Sequence, residues 1–127
     1  MANEFEITAL IEYEDSEGTL LPSFGVEELL KSITTKKYTQ NKISVGFAAE
    51  EAIPLGELAG SALGWALFVN RDATNYVEIR SATGAANDII KVPPLSPALF
   101  HFGSDVTVPY ILANTAACQV EYRIWAP

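Results

Sequence analysis

Residues 63–103 read LGWALFVNRDATNYVEIRSATGAANDIIKVPPLSPALFHFG, and the fold of the whole chain turns on how this stretch is parsed. From Leu63 to Asn70 apolar side chains occupy both sides of an extended segment, Leu63, Trp65, Leu67 and Val69 against Ala66 and Phe68. A strand with one wet face alternates cleanly, so this one is expected to be central and covered on both faces. Asn70 to Asn75 supplies residues that bond their own backbone or tolerate left-handed conformations, and Tyr76 to Arg80 returns as a strand. The pair reads as a hairpin. A four-residue loop would set Phe68 opposite Val77 and Ala66 opposite Ile79. A five-residue loop would set Val69 and Leu67 there instead, turning the returning strand over.

The second half repeats the plan. Thr83 to Asn87 is a turn and Asp88 to Val92 a strand. Pro93-Pro94-Leu95-Ser96-Pro97 must be a loop, because three of its five residues have no N–H to give a ladder. Ala98 to Phe102 is a further strand, ended by Gly103-Ser104-Asp105.

Working outward, residues 4–14 alternate: Phe5, Ile7, Ala9, Ile11 and Tyr13 face one way and Glu4, Glu6, Thr8, Glu12 and Glu14 the other, a half-buried strand. Val26, Leu29, Leu30 and Ile33 fall at helical spacing, which predicts a helical turn followed by a strand through Thr39. Asn41-Lys42 reads as a turn and Ile43 to Phe47 as a strand. The segment 48–62 reads as a loop crossing between sheets, anchored by Ile53 and Leu55 around Pro54. Val106 to Leu112 is a strand with Pro109 inside it, hence an edge or a bulge. Cys118, Val120, Tyr122 and Ile124 alternate with Gln119, Glu121 and Arg123 nearly to the last residue, so the C-terminus is structural. About eight or nine short strands with little helix predict one all-β domain over 1–127, an antiparallel β-sandwich of jelly-roll type. Its first and last strands, alike in alternation, are expected in one sheet.

The chain has 127 residues and a formal charge of −8. All of that excess lies in residues 1–28, which hold eight acids and no Lys or Arg. Nucleic acid and anionic membrane both call for basic patches, so neither is an expected partner. A basic protein surface is, with Glu12, Glu14, Asp15 and Glu17 as candidate contacts and Pro93, Pro94 and Pro97 as a second, loop-borne set. The N-terminus lacks the features of a signal peptide and no apolar run approaches the ~20 residues of a membrane helix, so a soluble protein is expected. A lone cysteine, Cys118, allows no internal disulfide.

No constellation points to catalysis. His101 is the single histidine and has no local nucleophile beside it. Cys118 is in register with apolar residues and reads as core. Adjacent carboxylates at Glu27-Glu28 and Glu50-Glu51 would point to opposite faces of a strand. A calcium site from Asp15, Glu17, Asp72 or Asp105 lacks any EF-hand spacing. No enzyme, cofactor or metal is expected. Trp65, Tyr76 and Tyr110, with Trp125, could form an aromatic platform for a glycan, although aromatics in a β domain of this size are mostly core and cross-strand pairs.

At Gly64-Trp65-Ala66-Leu67-Phe68-Val69-Asn70 with Asp72-Ala-Thr-Asn-Tyr-Val77, then Ala85-Ala86-Asn87-Asp88, Ile90-Lys91, Ala98-Leu-Phe100, Phe102-Gly-Ser-Asp-Val-Thr107 and Asn114-Thr-Ala-Ala-Cys118, the chain resembles a family of small structural proteins of tailed bacteriophages. The likeness runs from about Glu50 to Ile124. It departs at Pro93 to Pro97, where relatives would have a glycine-containing turn. The resemblance implies a non-enzymatic, all-β virion protein, a capsid decoration (cement) protein or a neck or tail component. Its implied partners are other virion proteins and copies of itself, and its implied location is the virion. A carbohydrate-binding module on a host-attachment device is the alternative that the aromatics suggest.

Overall fold

The computed structural model describes the backbone of strands at residues 4–11 and 24–32 and all of residues 37–127. The chain divides into two compact units, Met1–Thr35 and Lys36–Pro127. In the first, β1 (Glu4–Ile11) pairs antiparallel with β2 (Phe24–Ser32). The helical spacing read around Val26 to Ile33 is therefore overridden: residues 24–32 are strand, bonded along β1 from Glu4↔Ser32 to Ile11↔Phe24.

The second unit is a β-sandwich of two four-stranded antiparallel sheets. Its strands are β3 (Tyr38–Val45), β4 (Glu51–Ala52), β5 (Trp65–Asn70), β6 (Val77–Arg80), β7 (Asp88–Val92), β8 (Pro97–His101), β9 (Tyr110–Ala113) and β10 (Cys118–Trp125). The first sheet runs β3-β10-β5-β8 and the second β4-β9-β6-β7. The pairing is nested: β6 meets β7, β5 meets β8, β4 meets β9 and β3 meets β10, as if one long ribbon had been folded back at the β6–β7 turn. Rolling that ribbon adds the β10–β5 and β9–β6 contacts and splits it into two sheets.

This order corrects the hairpin expected over residues 63–80. β5 and β6 do not pair; they lie in different sheets, and residues 71–76 carry the chain from one to the other. Local apolar pattern identifies strands, but either partner offered the same apolar face, so it could not choose between a neighbour in sequence and a distant strand. β5 is central, between β10 and β8, and the core of the sandwich lies on one of its faces: Ala66, Phe68 and Asn70 are fully buried, while Trp65, Leu67 and Val69 are half-buried. The outer side chains sit in cross-strand pairs, Leu67 with Leu99 and Trp65 with His101, which explains apolar residues on the face away from that core.

Three further expectations change. Asn41-Lys42 is no turn, because β3 pairs with β10 without interruption from Tyr38↔Trp125 to Val45↔Cys118. Pro109 lies just before β9, where its carbonyl accepts from the Ile53 N–H at 3.0 Å. β1 bonds to β2, and β10 to β3 and β5, so the first and last strands are not in one sheet. The crossing segment behaves as read, with Ile53 and Leu55 buried, and adds the two-residue β4 and a single 3-10 turn whose Leu58 is also buried.

Between the sheets lies one cluster that includes Phe68, Val120, Tyr122 and Ile124 from the first sheet and Val77, Ile79, Val92 and Ile111 from the second. Phe68 stacks on both Phe100 and Tyr122, at 5.8 and 5.5 Å between centroids. Burying each such side chain stabilises the fold by roughly 1.5–3 kcal/mol. Tyr122 reaches through this core to donate its hydroxyl to the Pro54 carbonyl at 2.6 Å, holding the crossing loop.

Candidate functional site

Three places in the sandwich gather polar chemistry. The corner between β5 and β6 is built on Asn70 and Asp72. Asn70 is fully buried; its amide donates to the carbonyls of Asn75, Val92 and Pro93 at 2.8, 3.1 and 3.2 Å, and its oxygen accepts from the Asp72 N–H at 3.0 Å. The Asp72 carboxylate accepts from the N–H groups of Thr74 and Asn75 at 3.0 and 2.6 Å. These bonds hold its carboxyl below the usual aspartate range. The same corner fixes the proline loop, since Leu95 N–H donates to the Asp72 carbonyl and Asn70 N–H to the Ser96 carbonyl, both at 3.0 Å.

That loop carries Leu95 at φ 52°, the one non-glycine residue with positive φ among those described, and leaves it 68% exposed. A large apolar side chain in the left-handed region is held there against its preference by the surrounding bonds. Pro93 and Pro97 are exposed and Pro94 half-buried, so the prolines shape the loop while Leu95 forms its tip. Leu95 carries no sequence signal of its own; the flanking prolines were the sign that the loop was special.

The second place is Arg80, on the outer side of the second sheet yet only 7% exposed. Three carboxylates cover it: Asp88 on Nε at 2.7 Å, Glu50 on Nη1 at 2.7 Å and Glu78 on Nη2 at 2.6 Å. Glu50 also accepts from the Gly84 N–H at 2.9 Å, tying the β6–β7 turn to the segment before β4. Bonding to Arg80, then to Gly84, depresses the Glu50 carboxyl, and bonding to Glu50, then to Asp88 and Glu78, raises the Arg80 guanidinium. Each guanidinium nitrogen is taken by a different carboxylate, which makes the cluster a structural clamp. Glu50 lies outside β4, and Glu51, its first residue, accepts from the Gly46 N–H at 3.2 Å.

The third is on the outer face of the first sheet, where a groove of about 1050 Å³ is lined, among the described residues, by Tyr38, Gln40, Lys42, Leu67, Arg71 and Arg123 and not by the tryptophans. Reading across the strands, Tyr38 pairs with Trp125 and Gln40 with Arg123 on β3 and β10, and Arg123 lies opposite Leu67 on β5. Extending the register places Trp125 beside Trp65, which meets His101 edge-on at 5.3 Å. The result is a row, Tyr38, Trp125, Trp65 and His101, across all four strands. The next row holds Gln40 and Arg123, and the one after it Lys42 and Glu121. Glu121 is claimed by Arg71 at 2.9 Å and Lys42 at 3.8 Å, with its carboxyl lowered chiefly by the Arg71 hydrogen bond.

Of the glycan candidates, Trp65 lies in this row, whereas Tyr76 ends the connection into the second sheet, under the Lys91 ammonium at 5.1 Å, and Tyr110 is on β9 of that sheet, opposite Arg80. The structure does not bring the three together. Tyr38 and Arg123 were the missed members; the signal that could have found them is the outward phase of the β10 alternation combined with pairing to β3. His101 hydrogen-bonds through Nδ1 to the Phe102 carbonyl at 2.6 Å. Cys118 is buried, and desolvation and then the Asp72 charge push its thiol up. Among the described residues no group of three or more His, Cys, Asp or Glu is placed to hold a metal ion, and no helix is long and apolar enough to cross a membrane. Glu12, Glu14, Asp15 and Glu17 lie outside the described residues.

No family model, curated protein or solved structure matches the chain.

Proposed function

We propose that the chain is a non-enzymatic structural protein of a tailed-bacteriophage virion, acting as a capsid decoration protein whose loops bridge neighbouring subunits. The residue pattern through Gly64 to Cys118 that resembles such proteins motivates the reading. Its central motif, Asn70-Arg-Asp-Ala-Thr-Asn75, has a bonding role in the β5–β6 corner at each of Asn70, Asp72, Thr74 and Asn75. The nested strand pairing supports a jelly roll, a ribbon rolled into two sheets.

The observation that carries the proposal is Leu95, an exposed leucine at φ 52° on a loop fixed to Asn70 and Asp72. A strained, exposed apolar tip on a rigid corner is suited to a contact with a neighbour, and many copies on one particle multiply a small contact into lasting attachment. The partners are the major capsid protein and further copies of this chain. Heads and tails separated from purified virions and analysed by mass spectrometry test it. Recovery with heads is the expected result; recovery with tails or the neck would move the protein to that structure, and absence from all fractions would defeat the reading.

A further inference from the structure

We propose that the open edge of β3 pairs with the same edge of a second copy of the chain, antiparallel across a twofold axis at Asn41, so that two first sheets join into one. The pairing is a property of the isolated chain, so its failure would leave the proposed contact at Leu95 standing.

Four strands end the two sheets, and three of them are poor templates for a further strand. β4 has two residues, β8 opens on Pro97, which has no N–H, and β7 carries an extra residue, Ile89, where its register with β6 shifts. β3 differs. It runs for eight residues without proline, glycine or bulge, in unbroken register with β10 from Tyr38↔Trp125 to Val45↔Cys118. The Ala126 N–H donates to the Lys37 carbonyl at 2.9 Å, which fixes the phase of that ladder. Thr39, Asn41, Ile43 and Val45 therefore bond to β10, whereas Tyr38, Gln40, Lys42 and Ser44 turn their N–H and C=O groups to the open side. All four of these residues are exposed. Among the described residues, only one of the outward groups has a protein partner, the Lys42 N–H, which donates to the side-chain oxygen of its neighbour Asn41 at 2.9 Å.

The order of residues along the edge favours a copy of itself. Two β3 strands laid antiparallel can centre on Lys42, on Gln40 or, between them, on Asn41. The first sets two lysines face to face and the second leaves Ser44 outside the ladder. The third puts Tyr38 opposite Ser44 and Gln40 opposite Lys42, so all four outward residues of each strand enter hydrogen-bonded pairs. Asn41 then meets its own copy in the closer site between those pairs. Charge agrees with this choice. Two molecules of formal charge −8 repel, yet residues 38–45 hold no acid. A lysine on an edge strand discourages pairing, but Lys42 is turned along the outer face to Glu121 at 3.8 Å. Main-chain bonding alone would accept any extended strand; the self-complementary order and the acid-free edge select a second copy.

Sedimentation equilibrium of the full chain, from low micromolar to near-millimolar concentration, tests the pairing. A monomer–dimer equilibrium that stops at two is expected. Gln40→Lys sets lysines opposite one another at two symmetric places and should weaken the dimer. Gln40→Glu meets Lys42 with a carboxylate and should tighten it, although the protein becomes more acidic. Each change should move Kd by about 2- to 30-fold, the worth of two cross-strand charge pairs. Asn41→Cys should close a disulfide between copies under mild oxidation, and Ser44→Cys, opposite Tyr38, should do so far more slowly. The native Cys118 is buried and does not compete. Gln40, Asn41 and Ser44 are exposed, so the variants should keep the native circular dichroism and Tm. A monomer at every concentration, growth beyond two, a dimer indifferent to the charge at residue 40, or equal cross-linking by the two cysteine variants would each overturn the proposal.

Discussion

The side-chain amide of Asn70, on β5 of the first sheet, donates to the carbonyl of Val92, on β7 of the second, at 3.1 Å. One buried side chain thereby ties the two sheets together across 22 residues of sequence. It also donates to Asn75 and Pro93, so its removal unpairs the buried Val92 carbonyl and takes a donor from two part-buried ones. Leaving such groups unpaired costs about 1–3 kcal/mol each, less where water enters. Asn70→Ala is therefore expected to lose about 3 kcal/mol in urea unfolding. Asn70→Asp should do no better, since it keeps the acceptor for Asp72 and loses the donors. A loss under about 1 kcal/mol in Asn70→Ala would show that the corner is held by Asp72 alone.

Gly64 is needed for space. A Cβ there would sit 2.9 Å from the Trp125 carbonyl oxygen and 3.0 Å from the Ala126 carbonyl carbon, both backbone atoms, where Gly64 N–H donates to Trp125 at 2.8 Å. Backbone cannot swing aside as a side chain can, so Gly64→Ala should destabilise by about 1–3 kcal/mol and lower Tm. Gly46→Ala, at a position with nothing within 4 Å of the added atom, is the control and should show no comparable packing loss.

How much of this was legible beforehand follows from the range of each interaction. Alternation in residues 118–124 exposed β10 because its period is local, and Ile53 and Leu55 were found because proline and apolar neighbours mark an anchored loop. The partner of each strand was not legible. β5 and β6 look like a hairpin since their loop is short and polar, but Asn70 bonds to Val92 and turns the chain toward the other sheet. The row across the first sheet was missed for the same reason, as Tyr38 and Trp125 become neighbours through the β3–β10 register, 87 residues apart. The cluster around Arg80 was not legible either, because its three carboxylates come from β6, β7 and the segment before β4.

Leu95 offers a test that separates contact from folding. Glycine relieves a left-handed conformation worth roughly 1–2 kcal/mol, and the added freedom of the unfolded chain takes back about 0.5–1 kcal/mol. Leu95→Gly should thus leave Tm unchanged or slightly raised. If Leu95 is the contact that the proposed function assigns to it, the same variant should be retained poorly on particles in a sedimentation assay. Full retention would show that the loop is not the attachment point.

Arg80 makes a prediction in which the variant and the native protein respond to pH in opposite directions. In the native protein Glu50 has its carboxyl depressed by the Arg80 and Gly84 bonds, and Asp72 and Glu121 are lowered by their own partners. A depressed carboxyl contributes stability that is present above its unfolded value, about 4, and is lost as pH falls through its folded value. The native protein should therefore hold its stability down to about pH 5 and lose it below about pH 4. Arg80→Met removes the cation and leaves Glu50, Glu78 and Asp88 facing one another around an apolar side chain. Removing Arg80 should destabilise the protein near neutral pH, by less than the loss of a partner from a fully buried pair because Glu50 and Asp88 are part-exposed. Mutual repulsion and burial then raise the folded-state carboxyl values, and a raised group stabilises the fold below its unfolded value and loses that contribution as pH rises. Unfolding midpoints measured from pH 7 down to about pH 4.5 should accordingly increase for Arg80→Met while staying level or falling for the native protein, so that the gap between them narrows. Parallel curves, with the gap constant across that range, would mean that Arg80 contributes by packing its alkyl chain and not by neutralising the three acids.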